Sequence, residues 1–191
     1  WLSPDEVFSD DGKNFYKKKS PKEKVIVGST ESMSKSKKNT IDPENIIENY
    51  GADAVRLFIL SDSPPEKDVQ WSDQGMLSAY KFIQKFWALH EKIKKIIILN
   101  ENLDKSENEL SHFTNLLVNK ITKNIENFHY NVIIANLYET YNFLNKYLEK
   151  KNTNNNLYQN YVKILKLMSP ILPHLVQECL EEIKFNKKLD W

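Results

Sequence analysis

The sequence predicts a mainly α protein in which a small α/β region is followed by a helical bundle. Three observations carry that reading. From Ser72 onward apolar residues recur at spacings of three and four, the mark of amphipathic helices. Before Ser72 the β-type signals are short: one β-branched run and two flanks of a turn. The composition over 191 residues, 40% hydrophobic and 28% charged, suits a chain that buries a core.

Residues 1–24 are polar and are expected to be mobile, with Asp10-Asp11-Gly12-Lys13-Asn14 marking a turn. On either side Glu6-Val7-Phe8 and Asn14-Phe15-Tyr16 can pair as a small hairpin. Lys24-Val25-Ile26-Val27-Gly28 reads as a strand stopped by glycine. It leads into Glu31-Ser32-Met33-Ser34-Lys35-Ser36-Lys37-Lys38-Asn39, a run of hydroxyls and lysines just ahead of a helix start. Asp42 can cap that helix and Pro43 suits its first position. Ile46 and Ile47 are expected to face inward, and Tyr50-Gly51 ends the helix with a glycine cap. A second helix runs from Ala52 to about Leu60, stopped by Ser61-Asp62-Ser63-Pro64-Pro65. Its one basic residue, Arg56, has Asp53 one turn away and is expected to pair with it. Trp71 is expected to anchor the extended link that follows.

Ser72 is the candidate cap of a long helix with Met76, Ala79, Tyr80, Ile83, Phe86, Trp87 and Ile93 on one face, widened by Phe82, Leu89 and Ile96. A polar break spans 100–107. The next helix carries Leu110, Phe113, Leu117, Ile121, Ile125 and Phe128, and the one after it Ile134, Leu137, Tyr138, Tyr141, Leu144 and Leu148. A loop at 151–156 precedes a final pair, Leu157 to Met168 and Leu175 to Ile183, broken by Pro170 and Pro173. Amphipathic helices on short links make a bundle, and its aromatic residues read as core. His174, beside Pro173 and Leu175, reads as a core-edge histidine.

Charge and composition exclude several classes of function. Net charge is +1, so no partner follows from it, yet nine lysines between Lys13 and Lys38 face only two acids, Glu23 and Glu31. Lys17, Lys18, Lys19 and Lys22 read as a solvated face. The single cysteine, Cys179, excludes an internal disulfide and reads as a buried small hydrophobe. One cysteine and four scattered histidines show no metal-ligand spacing. No apolar run approaches the length of a membrane span, and the opening residues lack the pattern of a signal peptide. A cytoplasmic setting is the expectation. The first residue is Trp1 rather than Met, so the chain is expected to begin inside a longer protein.

Three readings of the Ser/Lys loop compete: part of an ATP site, a nucleic-acid-binding module without chemistry, and a helical interaction domain with an incidental basic loop. Hydroxyls and mobile ammonium groups suit polyphosphate or an RNA backbone. The chain has no Gly-rich phosphate loop, no His-x-Gly-His tetrapeptide and no carboxylate set for Mg2+. Any catalytic site is therefore only partly present.

Met33-Ser34-Lys35-Ser36 with Lys37-Lys38-Asn39 resembles the KMSKS signature of class I aminoacyl-tRNA synthetases. Asp42-Pro43-Glu44-Asn45-Ile46-Ile47 and Tyr50-Gly51-Ala52-Asp53-Ala54-Val55-Arg56-Leu57-Phe58 are similar to the subclass that activates Leu, Ile, Val and Met. The opening Trp1 to Val7, then Ser63 to Asp68, Gln70 to Asp73, Ala79 to Phe82, Leu172 to Leu175 and the final Leu189-Asp190-Trp191 resemble the leucyl-tRNA synthetases. The resemblance covers nearly the whole chain and is closest over 33–87.

The resemblance implies three segments. Residues 1–28 are the remnant of a leucine-specific insertion with a lead-in strand, 29–71 the KMSKS-type loop with stem-contact helices, and 72–191 an anticodon-binding bundle. It implies a C-terminal piece of a leucine–tRNA ligase that is inactive alone, its parent using ATP and Mg2+ and working as a monomer on leucine and tRNA(Leu). Lys35 then stabilises the charge on departing pyrophosphate, while Met33, Ser34 and Ser36 complete the ATP contact. Lys37, Lys38 and Arg56 are candidate tRNA contacts. Ser32 stands where the family has its first signature lysine, which puts one phosphate contact in doubt. The alternatives are a stand-alone tRNA-binding module and another synthetase of the Ile/Val/Met type.

Overall fold

The computed structural model describes residues 1–62, 64–99, 109–149 and 156–184. The polar break, the 151–155 loop and Leu189-Asp190-Trp191 lie outside them. The protein is mainly α, and it divides into two compact units, Trp1–Asn49 and Tyr50–Trp191.

The first unit opens with one 3-10 turn, Pro4–Glu6, closed by hydrogen bonds from the Ser3 N–H (2.8 Å) and Ser3 Oγ (3.1 Å) to Glu6 Oε2. Strands β1 (Val7–Phe8), β2 (Phe15–Lys17) and β3 (Ser20–Val25) form an antiparallel sheet in that order. The β1–β2 turn is built on Asp11, whose Oδ1 accepts the N–H groups of Lys13 (2.8 Å) and Asn14 (2.7 Å), with Gly12 at φ +68°. These donors hold the Asp11 carboxyl far below the usual carboxylate range. Phe8 pairs with Tyr16 across the strands, ring centroids 5.9 Å apart.

The three strands lie within 7–25, and the hairpin expected at 6–16 is present. The strand expected at 24–28 is displaced. β3 begins at Ser20 and ends at Val25, opposite Phe15. The Asp11 turn carries β2's partner edge away at that point, so Ile26 and Val27 have no strand to pair with and lie exposed. Helix α1 (Pro43–Tyr50) starts as the sequence predicts, with the Glu44 N–H donating to Asp42 Oδ1 at 3.1 Å. Its isoleucines do not face a core, however: Ile46 is half-buried and Ile47 is 45% exposed.

The second unit is all helix among its described residues: α2 (Ala52–Asp62), α3 (Asp73–Leu99), α4 (Glu109–Glu126), α5 (Tyr130–Leu148), α6 (Leu157–Met168) and α7 (Pro173–Glu182). Gly51, at φ +80°, separates α1 from α2 as the glycine cap predicts. Ser72 caps α3, its Oγ accepting the Gly75 N–H at 3.1 Å. Trp71 holds the link into α3: its ring meets Phe58 of α2 edge-on at 5.3 Å and its Nε1–H donates to Asp73 Oδ1. The core runs through Leu57, Phe82, Phe86, Leu89, Leu117, Ile121, Leu137, Leu144, Leu165 and Val176. Aromatic pairs stitch the layers, Phe82 to Tyr138 at 4.3 Å and Phe113 stacked on Phe143 at 3.9 Å. Cys179 is buried as expected, and burial pushes its thiol up to about 12.

The predicted α4 stripe fails at its end, where Ile125 and Phe128 are exposed. Phe128 follows the helix at φ +57°, a left-handed conformation that costs a non-glycine residue roughly 1–2 kcal/mol. Its position in the cap, rather than helical spacing, sets the direction of the ring.

Candidate functional site

The Ser/Lys loop of the first unit folds on its own side chains. Residues Lys35–Lys37 make one 3-10 turn capped by Ser34, whose Oγ accepts the Lys37 N–H at 3.3 Å and shares a hydrogen bond with Ser36 Oγ at 2.9 Å. Asn39 closes the loop base: its Oδ1 accepts the Ser34 N–H at 2.7 Å and its Nδ2 donates to the Ser32 carbonyl at 3.3 Å. Lys38 takes a left-handed conformation at the turn's exit, φ +54°.

The three lysines part company here. Lys37 is ion-paired with Glu31 and lies 5.8 Å from the Trp1 ring centroid. The Ser3 donors, and after them Lys38 at 3.6 Å, keep the Glu6 carboxyl below its ordinary range. Lys35 is exposed, and its ammonium group has no ion-pair partner among the described residues. Met33 is half-exposed beside it. The loop therefore offers one uncommitted cation on a short turn whose shoulders are held. A cavity of about 580 Å3 lies between the sheet, at Val7, Phe15 and Val25, and the loop, at Glu31, Lys37 and Asn39, and Lys35 is not among the residues that line it. The role of Asn39 escaped the sequence reading, because its two bonds reach back five and seven residues.

The second unit places Arg56 and Asp53 differently from expectation. They do not pair with each other. Arg56 donates from Nε to the Ile171 carbonyl (3.1 Å) and from its terminal nitrogen to the Pro170 carbonyl (2.7 Å). Asp53 accepts the Leu175 N–H at 2.7 Å and meets His174 Nδ1 at 2.9 Å. One turn of α2 thus sends a cation to the carbonyls that leave α6 and an anion to the amides that start α7, which is the charge order helix ends favour. Those partners outcompete a local pair, and they commit Arg56 inside its own unit. His174 is 76% exposed rather than at the core edge.

A buried cluster that spacing did not show joins α3, α6 and α7. His90 is fully buried between the Tyr161 hydroxyl at Nδ1 (2.9 Å) and Glu182 at Nε2 (3.0 Å). Burial holds the imidazole below its ordinary value, and Glu182 opposes that shift. Lys94 donates to both Glu182 and Glu91 at 2.7 Å. Ligand atoms of His90, Glu91 and Glu182 lie within 4.8 Å of one another, but the Lys94 ammonium already fills the place a cation would take. The cluster reads as a structural tie. No helix of the described residues is long and apolar enough to cross a membrane.

Two family models match the chain. Residues 13–72 match class I tRNA synthetases of the I, L, M and V group, and residues 107–190 match the anticodon-binding domain of tRNA ligase. The leucine–tRNA ligase of Bartonella quintana (strain Toulouse) is 39% identical over 189 residues, covering 94% of this chain and 22% of that protein. The leucine–tRNA ligase of Rickettsia canadensis (strain McKiel) is 36% identical over 190 residues, covering 99% of this chain and 22% of that protein. The chain thus spans about a fifth of the length of these relatives. In structure it is similar to the LeuRS of an Agrobacterium radiobacter K84 LeuRS–tRNA–LeuAMS ternary complex, with a TM-score of 0.71 and 24% identity over 81% of this chain and 21% of that one.

Proposed function

The chain belongs to the leucine–tRNA ligases of class I, and we propose that it supplies two working parts of such an enzyme: a loop that closes on the phosphates of ATP and a helical domain that supports tRNA(Leu). The parent enzyme joins leucine to ATP as leucyl-adenylate, releasing pyrophosphate, and then transfers the leucyl group to the tRNA. The functional segments are 1–28 as the end of an insertion, 29–71 as the signature loop with stem-contact helices, and 72–191 as the tRNA-supporting bundle. A cytoplasmic monomer is the setting this reading carries.

The observation that supports it most is the isolation of Lys35. Lys37 and Lys38 are occupied by acids, while Lys35 stands exposed on a turn shaped by Ser34 and Ser36. A point charge on a short exposed turn is suited to meeting negative charge that develops as pyrophosphate leaves. Met33 flanks the contact, and Ser34 and Ser36 set its geometry through the 3-10 turn. Ser32 stands where the family has its first signature lysine and carries no ammonium group for that phosphate contact, while its carbonyl accepts the Asn39 amide at 3.3 Å. The loop residues do not fit Mg2+: Glu31 is the loop's one carboxylate and Lys37 engages it. Lys37 and Lys38 reach RNA only by leaving Glu31 and Glu6, and Arg56 only by releasing two carbonyls.

The test is leucine-dependent ATP–pyrophosphate exchange by the full-length enzyme. Lys35→Ala should lower kcat by about 10²–10³ and leave the KM for leucine nearly unchanged. Equal losses in both would make the lysine a ground-state or structural residue. The 191-residue chain by itself should show no exchange, and measurable exchange would overturn the division of labour proposed.

A further inference from the structure

Phe128 occupies a position that the fold would fill best with glycine. Its N–H donates to the Ile125 carbonyl at 3.0 Å, and the next N–H, of His129, donates to the Asn124 carbonyl at 2.8 Å. That pair of bonds is the left-handed termination that usually takes glycine, and a bulky residue there is an outlier. The ring gains little inside the chain for the strain. It is 60% exposed, and its ring–ring contact among the described residues is the edge of Tyr130 at 6.1 Å. Ile125, one turn earlier, and Val132, one turn later, are exposed as well.

The surroundings say what such a ring could meet. Lys120, Lys123 and His129 lie exposed along the same helix end. Glu139 engages Lys120 at 3.4 Å, and Glu126 is the nearest acid in sequence. Exposed aromatic rings among lysines suit an unpaired base, with its face on the ring and its phosphates near the ammonium groups. The tip lies within the stretch that matches the anticodon-binding domain model.

We propose that the α4–α5 tip is a stacking platform for an unpaired nucleobase of RNA, with Phe128 the ring on which the base lies. This rests on the tRNA-binding reading above and adds a specific contact to it. Strain stored at an exposed cap is retained where the displaced side chain works outside the fold.

The experiment uses the 191-residue chain with three RNA probes: tRNA(Leu), a single-stranded oligoribonucleotide and a blunt duplex. Phe128→Gly relieves the left-handed residue and should unfold at the same or a higher temperature. It should bind tRNA and the single strand about 5- to 150-fold more weakly, the equivalent of one lost base stack, and bind duplex as before. Phe128→Tyr should retain affinity. Unchanged affinity of Phe128→Gly for tRNA, in a chain whose parent form binds it, overturns the platform alone. So does a loss shared equally by the duplex, or a lowered unfolding temperature with RNA binding intact, which would place the ring against protein. Failure of the unaltered chain to bind tRNA in a salt-sensitive manner overturns the tRNA-binding reading and the platform together.

Discussion

The two units are held together by different physics. Every buried hydrophobic residue among those described belongs to the second unit, and the first has none. The first is tied by hydrogen bonds at Asp11, Glu6 and Asn39, by a bulged three-stranded sheet, and by surface ion pairs. Burying a large apolar side chain contributes about 1.5–3 kcal/mol, while an exposed ion pair contributes ~0–1 kcal/mol. The second unit is therefore the stable scaffold and the first opens at low cost. A loop proposed to close and reopen on a ligand suits the first kind of structure, which opens at low cost. Lys35 lies in the coreless unit, and the helices proposed to support RNA lie in the packed one.

The comparison predicts first that core truncation is severe in one unit and has no counterpart in the other. Phe86 is fully buried in α3, and Phe86→Ala should destabilise the second unit by about 3–5 kcal/mol. Urea unfolding followed by helical circular dichroism measures it. A loss below 1 kcal/mol would mean that the bundle core is not closely packed around that ring.

Smaller is the effect of opening the α2 clamp. Asp53→Ala leaves the Leu175 N–H buried without its carboxylate acceptor, at a cost of about 1–3 kcal/mol. Because the same carboxylate meets His174, Asp53→Asn should restore most of the loss, since an amide oxygen still accepts the N–H. The unfolding midpoints of the two variants check this. Equal losses would show that charge at the α7 start matters more than the hydrogen bond.

Acid should separate the units by the pH at which each weakens. His90 has its folded-state value depressed by burial, so the unfolded chain takes up the proton first, and this group's contribution declines as pH falls below about 6.5. Tyr161 from α6 and Glu182 from α7, with Glu91 and Lys94 from its own helix, face it and shape that window. In the first unit Glu6 and Asp11 are also depressed, but from the ordinary values 4.5 and 3.8, so their contributions persist until pH falls below those values. Midpoints measured from pH 7.5 to 5 should decline for the second unit, and less steeply in His90→Gln. An identical slope in that variant would assign the acid response to other groups.

What was legible in the sequence follows the same division between local and distant forces. Helix starts at Asp42-Pro43 and Ser72 and the Asp11 turn are set by neighbours within four residues, so spacing and residue type reveal them. The helical periodicity of 72–183 shows the core face because burial repeats with the helix. Asp53 and Arg56 misled, because at i and i+3 they look like a local pair while their partners lie more than 110 residues away. His90 was hidden for the same reason: Tyr161 and Glu182 come from other helices. The strand at 24–28 failed because β-propensity does not reveal where the partner strand ends. Ile46 and Ile47 failed because apolar spacing presumes a core that this unit lacks. In the loop, composition pointed to phosphate in general terms, and the resemblance singled out Lys35. The structure adds that Lys35 is the loop lysine without an acid partner among the described residues.

The smallest expected effect tests the pinning of that loop. Lys37 and Glu31 are each about one-third exposed in their side chains, so solvent and salt screen the pair. Glu31→Ala should change global stability by less than about 0.5 kcal/mol, within the range of exposed ion pairs. Its effect should instead be local. The loop would then rest on Asn39 and the weaker Lys38–Glu6 contact at 3.6 Å, and backbone amides 34–38 should exchange with solvent faster. High salt should reproduce that change in the unaltered chain, because it weakens the same pair. If Glu31→Ala instead lowers the unfolding midpoint by more than 1 kcal/mol, the loop is packed rather than pinned, and the contrast between the units narrows. If neither stability nor exchange moves, the Ser34–Asn39 hydrogen bonds alone define the turn, and Lys37 is as available to a phosphate as Lys35.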